Sequence, residues 1–257
     1  MLQKMTKTNS KIPKIIAIIG GMGPFASARL YFLLLEKART NFGAKRDEEF
    51  PRIIINSLSI PNFISDTSQA NSAKNTLSQQ VKAMERLGCN IMGIACNTAH
   101  IFFPDLKKQF KGEFPSLIET VSDRAKNLGL KKILVLSTET TRNTKLYLSA
   151  LSNRGIGAVQ PDNRFQKLIT RVIQKTISNT PLTHVEKTQL SKQAKALYIS
   201  SKSDGVILGC TELPLVFPKK LLPNTIDSLD CLADKLLSIY YKESCLQTPF
   251  FCFAPYL

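Results

Sequence analysis

The sequence predicts an α/β fold with mostly parallel strands, built as two similar lobes. Apolar runs of strand length alternate with segments of helical spacing along the whole chain, and this alternation is typical of parallel sheets covered by helices. Two segments also recur in kind: residues 14–21 (KIIAIIGG) are similar to 131–138 (KKILVLST), and residues 90–100 (NIMGIACNTAH) are similar to 203–213 (SDGVILGCTEL). Two related α/β halves that face each other would explain this repeat.

The elements of the first half follow from apolar spacing and from turn residues. A buried strand is predicted at 14–19, and glycines at 20, 21 and 23 make a tight turn. Pro24 suits the first position of a helix, and Gly43 ends that helix. The remaining predicted elements are a strand at 52–57, a loop at 58–71, a helix at 72–87, a strand that ends at Cys96, and a short helix begun at 100–103 and restarted at Pro104.

The second half follows the same logic. Residues 115–118 predict a short strand, and a helix follows it to Leu128. The later predictions are strands at 132–136, 206–208 and 225–226, and helices at 144–153, 164–177, 183–201 and 228–242. We expect a first lobe of residues 1–120 plus 224–257, which carries Cys96, and a second lobe of residues 121–223, which carries Cys210. The apolar tail at 245–257 is expected to pack on the body or at a subunit interface.

Composition narrows the function classes. The 257-residue chain has no apolar run near the ~20 residues of a membrane helix, and its basic start lacks a secretory apolar stretch. We therefore expect a cytoplasmic protein with no membrane partner. The six cysteines form no CxxC pair, which argues against a zinc site. The net charge of +16 comes from Lys and Arg spread along the chain, so no nucleic-acid partner is predicted, and the charge would favour an anionic small substrate.

Two cysteines stand where buried strands end. Cys96 follows the apolar run at 91–95 and precedes Asn97 and Thr98, while Cys210 follows 206–208 and precedes Thr211 and Glu212. The carboxyl ends of parallel strands are where such folds place their chemistry. A single cysteine in this position is most often a small buried hydrophobe. The pair, each with a polar sequel, favours two thiols on opposite sides of one cleft.

Paired thiols can invert a stereocentre. One thiolate removes a proton from a substrate carbon, and the opposite thiol returns one from the other face. If each cysteine precedes a helix or turn, free N–H groups would lower its pKa toward neutrality. The N–H groups that follow the two cysteines could also hold a carboxylate and stabilise the charge left by the departing proton. This chemistry requires neither a metal nor an organic cofactor.

At these residues the sequence resembles the aspartate/glutamate racemase family of cofactor-independent amino-acid racemases. The matching pieces run in family order: GGMGP (20–24), CNTAH (96–100), Ser137, Thr138 and Thr141 with Tyr147 downstream, GCTELP (209–214) and IDS (226–228). The resemblance implies two Rossmann-like lobes related by a pseudo-twofold axis, an active site in the cleft between them, and a homodimer. It also implies catalytic roles for Cys96 and Cys210. The substrate-binding positions that it implies are Met22, Asn97, Thr98, Thr138, Thr141 and Thr211.

The resemblance makes aspartate or glutamate the expected substrate, but two segments depart from the family pattern. Asn62 and Phe63 stand where members carry an aspartate and an arginine that binds the side-chain carboxylate. The region 176–179 (TISN) stands where members carry a lysine and a glycine, although Lys167 and Lys175 are nearby. Another amino acid therefore stays open.

Two further residues are candidates for supporting roles. His100 lies four residues after Cys96, and a helical turn could bring it near that thiolate, with a structural hydrogen bond as the equal alternative. Glu212 could orient Cys210 or bind the substrate ammonium group, or it could favour a helix start.

Three other functions remain open. Residues 21–26 (GMGPFA) fit a dinucleotide-binding turn, but the second strand ends at Asn56 and Ser57 without the acidic residue that would hold the ribose. A paired-cysteine relative such as a hydantoin racemase, a maleate isomerase or a decarboxylase of small acids is a second alternative. An inactive amino-acid-binding protein is the third.

Overall fold

The computed structural model of the chain describes residues 13–61, 63, 67–218 and 220–242. The predicted α/β class is confirmed, with two parallel sheets. The first sheet has the order β2-β1-β3 and consists of β1 (Ile15–Gly20), β2 (Arg52–Ser57) and β3 (Ile91–Ile94). All six residues of the central strand β1 are buried, as its unbroken apolar run predicts. The expected packing of the tail at 245–257 lies outside the described residues.

The second sheet repeats this arrangement and adds one strand. Its order is β5-β4-β6-β7, and every pair is parallel. The strands are β4 (Lys132–Ser137), β5 (Gly157–Val159), β6 (Gly205–Gly209) and β7 (Thr225–Asp227). Strands β4, β5 and β6 thus correspond to β1, β2 and β3, and this correspondence agrees with the internal repeat seen in the sequence.

Helices occupy the connections between the strands. They are α1 (Pro24–Phe42), α2 (Ala70–Arg86), α3 (Phe103–Lys107), α4 (Leu117–Asn127), α5 (Glu139–Asn143), α6 (Leu146–Ser152), α7 (Asn163–Ile177), α8 (His184–Ser200), α9 (Leu213–Val216) and α10 (Ser228–Tyr241), and short 3-10 helices lie at Asp47–Glu49, Thr67–Gln69 and Thr98–Phe102. Pro24 begins α1 and Gly43 ends it in the left-handed conformation, as the sequence predicts.

Two of the elements predicted in the second half differ in the structure. The expected strand at 115–118 is wrong, because the Ser116 side chain accepts a hydrogen bond from the Glu119 amide and Leu117 begins α4. A polar N-cap of this kind favours a helix at once. The helix predicted at 144–153 is also shorter, since Lys145 has a φ of 56° and separates α5 from α6.

The boundary near residue 224 needs a correction. Strand β7 pairs with β6 and so extends the second sheet, whereas the prediction placed it with the first lobe. Helix α10, which follows directly, packs against α1 and β3. The chain therefore returns to the first sheet after Asp227. The division of the remaining residues between two lobes stays a prediction.

The two sheets share part of one hydrophobic core. Ile16 and Ile18 of β1 belong to the same buried cluster as Ile133 and Val135 of β4, and residues of α4 and α10 complete it. Both sheets are therefore anchored to common helices, and this arrangement fixes where the ends of β3 and β6 lie.

Candidate active site

The two predicted thiols line one cavity. Cys96 comes two residues after the end of β3, and Cys210 comes directly after β6. Cys96 is 3% exposed and Cys210 is 4% exposed, and both face the same small cavity. Strands β3 and β6 occupy corresponding places in their sheets. The two repeated sequence segments therefore place their cysteines at corresponding strand ends, where both thiols line the cavity.

Most of the other predicted residues border this cavity. The described lining residues besides the thiols are Met22, Asn97, Thr98, Thr138, Ile173, Ile177, Thr211 and Glu212. All of the predicted substrate-binding residues except Thr141 are therefore brought together there, and so is Glu212. Thr141 and His100 do not belong to the lining.

A glycine turn positions Met22. Gly21, directly after β1, has a φ of 92°, and a Cβ atom there would stand 2.1 Å from the carbonyl oxygen of Leu58. Only glycine fits both the conformation and the close approach. The turn thus holds the buried Met22 side chain at the cavity, next to the strand that precedes it.

The side chain of Asn97 is held from two directions. Its Oδ1 accepts a hydrogen bond of 2.5 Å from the Tyr147 hydroxyl, and its Nδ2 donates to Ser228 Oγ at 3.0 Å. Tyr147 belongs to α6, and Ser228 begins α10. These contacts fix the residue that follows Cys96, so the orientation of the loop after β3 depends on elements far along the chain.

Three threonine hydroxyls form a closed triangle beside the cavity. Thr98 Oγ1 lies 3.0 Å from both Thr138 Oγ1 and Thr141 Oγ1, and the last two are 2.9 Å apart. Thr138 also caps α5 by accepting from the Thr141 amide. Thr141, which the resemblance implies as a substrate-binding position, thus donates its amide N–H to the cap of α5 and contributes its hydroxyl to the triangle.

Burial raises the pKa of Cys96 from 9.0 to about 12. Hydrogen bonds from the amides of Ala99 and Thr98 and from the Thr98 hydroxyl act in the opposite direction, while the charge of Glu212 adds to the rise. The sequence-based expectation of a lowered pKa is therefore wrong for this closed cavity. The predicted N–H groups are present, but removing the thiolate from water costs more than they return.

Cys210 is bonded to an acidic partner. Its Sγ donates to Glu212 Oε2 at 3.0 Å, and the Thr211 hydroxyl donates to the same oxygen at 2.8 Å. Burial, followed by the Glu212 charge and this hydrogen bond, raises the pKa of Cys210 well above its ordinary value. The two thiols thus differ: Cys96 accepts hydrogen bonds from two amides and one hydroxyl, while Cys210 accepts one from the Glu212 amide and donates its own proton to the Glu212 carboxylate.

Both ring nitrogens of His100 are engaged by the backbone. Nε2 accepts a hydrogen bond of 2.9 Å from the Leu117 amide, so Nδ1 carries the proton that it shares with the Cys96 carbonyl at 2.8 Å. Burial lowers the pKa of His100 from 6.5 to about 4. The ring joins the start of α4 to the Cys96 backbone, as the structural alternative predicts, and no nitrogen is free for proton transfer.

Sequence reasoning missed the two isoleucines of α7 that border the cavity. Ile173 and Ile177 are spaced as one face of a helix, but this spacing also suits an ordinary core, and Ile173 does belong to a core cluster. Only the packing of α7 against the second sheet shows that the same stripe reaches the site. Lys175, which the sequence suggested as a nearby cation, instead pairs with Glu186 of α8 at 2.8 Å.

The described residues contain no group of three or more His, Cys, Asp or Glu side chains that could hold a metal ion. Within the same part of the chain, no helix has both the length and the apolar character needed to cross a membrane.

Comparison with known proteins decides the family. The model of the Asp/Glu/Hydantoin racemase family matches residues 19–236. The chain belongs to this family. The match includes both thiols and the Met22 turn, and it extends into α10.

Individual relatives agree with this assignment. The broad specificity amino-acid racemase RacX of Bacillus subtilis (strain 168) is 25% identical over 228 residues, which are 88% of this chain and 98% of that protein. An aspartate racemase homologue from Pyrococcus horikoshii OT3 has a TM-score of 0.75 at 28% identity and covers 88% of this chain and 99% of its own. The aspartate racemase of Picrophilus torridus has a TM-score of 0.68 at 27% identity, covering 90% and 94%. The Bacillus and Picrophilus relatives of this chain are thus named as amino-acid racemases, and the two solved structures have its fold.

Proposed function

We propose that this racemase-family chain interconverts the enantiomers of an α-amino acid without an organic cofactor, with Cys96 and Cys210 as its two proton-transferring groups. The observation that carries the proposal is that both thiols, at corresponding strand ends, line one cavity. A substrate Cα between them would have one sulfur on each face.

The reaction is a balanced exchange of protons. The thiolate of one cysteine takes the α-proton, and its new S–H bond replaces the C–H bond that breaks. The carbanion then takes the proton of the opposite thiol, which becomes the thiolate. The protons must afterwards exchange with water before the next turnover in the same direction. We assign the substrate carboxylate, and the negative charge that grows on it, to the backbone N–H groups of Asn97 and Thr211, the residues that directly follow the two cysteines.

Burial of the thiols serves this chemistry. The α-proton of an amino acid is very weakly acidic. A thiolate whose pKa is raised is a stronger base, so the proton transfer from the α-carbon to its sulfur is less unfavourable. Burial raises the pKa of Cys96 to about 12. Because burial raises the pKa of both thiols, both hold their protons before the substrate binds, and one must ionise when it binds. Amide N–H groups donate to Cys96, whereas Cys210 donates its own proton to Glu212, so we assign the first ionisation to Cys96.

The finer features of the proposal rest on the resemblance. A homodimer, a cytoplasmic location and independence from pyridoxal phosphate stay predictions. Aspartate or glutamate is the substrate that the family name suggests, and RacX is described as having broad specificity. Family membership therefore supports the reaction type, whereas the class of substrate side chain depends on the residues that line the cavity.

The proposal is tested by the fate of the α-proton. The purified chain is incubated in deuterated buffer with single L-amino acids, and early samples are analysed by chiral chromatography and mass spectrometry. If one thiol removes the α-proton and the other thiol, exchanged with solvent, returns a deuteron, the D-product carries deuterium. The L-substrate that remains keeps its protium. A D-product that retains the original proton would contradict the two-thiol mechanism. If the chain exchanges the ring α-proton of hydantoins but not the α-proton of any amino acid, the result would instead favour a hydantoin racemase, which the family description also names.

A further inference from the structure

We propose that the side-chain end of this site accepts an uncharged, apolar amino-acid side chain and disfavours the second carboxylate of aspartate or glutamate. This inference rests on the proposed racemase function and adds its substrate class. It follows from which charged groups the cavity has, from the direction of one helix face, and from the packing behind Met22.

The lining offers an acidic substrate no cation. Among the described residues around the cavity, Glu212 is the only charged one, and none is Lys, Arg or His. The segment at 60–67 (IPNFISDT) contains no Lys or Arg either. An α-ammonium group can pair with Glu212 and an α-carboxylate with backbone N–H groups, so a second carboxylate would be left unpaired.

Helix α7 turns its apolar face to the site. Ile173 and Ile177 are four residues apart and therefore lie one above the other, and both line the cavity. Lys175 lies between them in sequence but on the other side of the helix, where its ammonium group is 2.8 Å from Glu186. The helix thus directs the Lys175 ammonium group away from the site. Ile177, which is 38% exposed, lies at the cavity instead.

The wall behind Met22 is also apolar. Phe63 is 1% exposed and belongs to the core cluster that contains Met22, and its ring centroid is 5.5 Å from that of Phe102. A side chain that points from Cα toward Met22 and α7 would therefore meet hydrocarbon. Burying an apolar group there is favourable, whereas burying an unpaired carboxylate is costly.

The basic surface does not alter this conclusion. The net charge of +16 attracts any anion at long range, but such a field does not pair a carboxylate inside the cavity. Arg142, in the helix that Thr138 caps, donates to Asn163 Oδ1 at 3.0 Å and is not a lining residue. The expected preference for leucine or methionine over aspartate and glutamate is at least ~100-fold in kcat/KM, which corresponds to about 2.7 kcal/mol.

The first test compares substrates. Racemisation of L-leucine, L-methionine, L-aspartate, L-glutamate and L-lysine by the purified full-length chain is followed by chiral chromatography. Turnover of leucine or methionine at least ~100-fold above the acidic pair supports the inference. Preference for aspartate or glutamate overturns the inference but leaves the racemase function intact. Preference for lysine also overturns it, because Glu212 would then pair with the cation of the substrate side chain. No turnover of any substrate overturns the proposed function, and the inference with it.

The second test moves charge into the site. Ile177→Lys places a cation at the cavity, and because Ile177 is partly exposed and ends its helix, lysine fits there without strain. We expect kcat/KM for aspartate or glutamate to rise at least tenfold relative to that for leucine. The matched control is Ile199→Lys, which adds the same charge at a 62% exposed residue near the end of α8. An equal change in this ratio for both variants, or no change in Ile177→Lys, would overturn the assignment of Ile177 to the side-chain subsite.

Discussion

The hydroxyl of Thr98, beside the first sheet, lies 3.0 Å from the hydroxyl of Thr138, at the end of the second. Both side chains are buried and both border the cavity between the thiols. This contact, completed by Thr141, joins the loop after Cys96 to the helix start after β4. A site assembled from two sheets depends on such links, since each thiol is fixed to a different sheet.

We expect the Thr98 and Thr138 hydroxyls to be energetically coupled. Thr98→Val and Thr138→Val should each lower the free energy of unfolding by about 1–2 kcal/mol, because a buried partner loses its hydrogen bond. The double variant should cost less than the sum, with a coupling of about 0.5–1.5 kcal/mol in chemical denaturation. Thr98→Val combined with Thr120→Val is the control, because Thr120 bonds instead to the Ser116 carbonyl in α4. Additive energies for Thr98 and Thr138 would contradict the triangle.

The two thiols should each be indispensable for turnover and dispensable for folding. Serine retains the size of cysteine but is a far weaker acid, and a positioned acid or base contributes roughly 10²–10⁴-fold. Cys96→Ser and Cys210→Ser should therefore each lower kcat by about 10³-fold, with a thermal midpoint that stays close to that of the native chain. Cys89→Ser provides the comparison, since Cys89 is equally buried but does not line the cavity. Racemisation that persists in the double variant of Cys96 and Cys210 would refute the mechanism.

His100 should make the chain less stable as the pH falls. Burial lowers the pKa of His100 from 6.5 to about 4, so the unfolded state takes up a proton first when the pH drops below 6.5. The free energy of unfolding should therefore decrease between pH 6.5 and pH 4 by about 3 kcal/mol from this group. His100→Gln should remove that part of the slope, whereas the same change at the exposed His184 should not. Equal slopes in urea denaturation for the native chain and His100→Gln would show that the ring titrates freely.

The elements that the sequence predicts well are those that depend on local pattern. The strand ends at Cys96 and Cys210 are visible because buried apolar runs stop at polar residues, and parallel topology then brings these ends together. The repeat in the sequence likewise corresponds to the same strand order in both sheets. These features required no knowledge of how the sheets pack on each other.

What the sequence could not supply depends on packing. Ile173 and Ile177 read as core residues, because only the position of α7 decides which end of its apolar stripe reaches the cavity. The direction of the Cys96 pKa was wrong for a similar reason: the N–H donors are local, but the burial that outweighs them comes from the whole closed site. The placement of β7 in the second sheet also depends on pairing that three residues do not specify.

Glu212 should control the proton of Cys210. Its carboxylate accepts that proton at 3.0 Å, and its charge is, after burial, the largest cause of the raised pKa of Cys210. Glu212→Gln keeps the volume but removes the charge, so Cys210 should lose its proton at lower pH and fail earlier as an acid. The basic limb of the pH profile of kcat/KM should therefore shift down by about one pH unit.

The profiles for the two enantiomers must coincide in every variant, because the equilibrium constant of a racemisation is one. Glu139→Gln, at an exposed residue of α5, should leave the profile unchanged. If Glu212→Gln lowers the thermal midpoint while the pH profile stays in place, Glu212 supports the fold and does not set the acidity of Cys210.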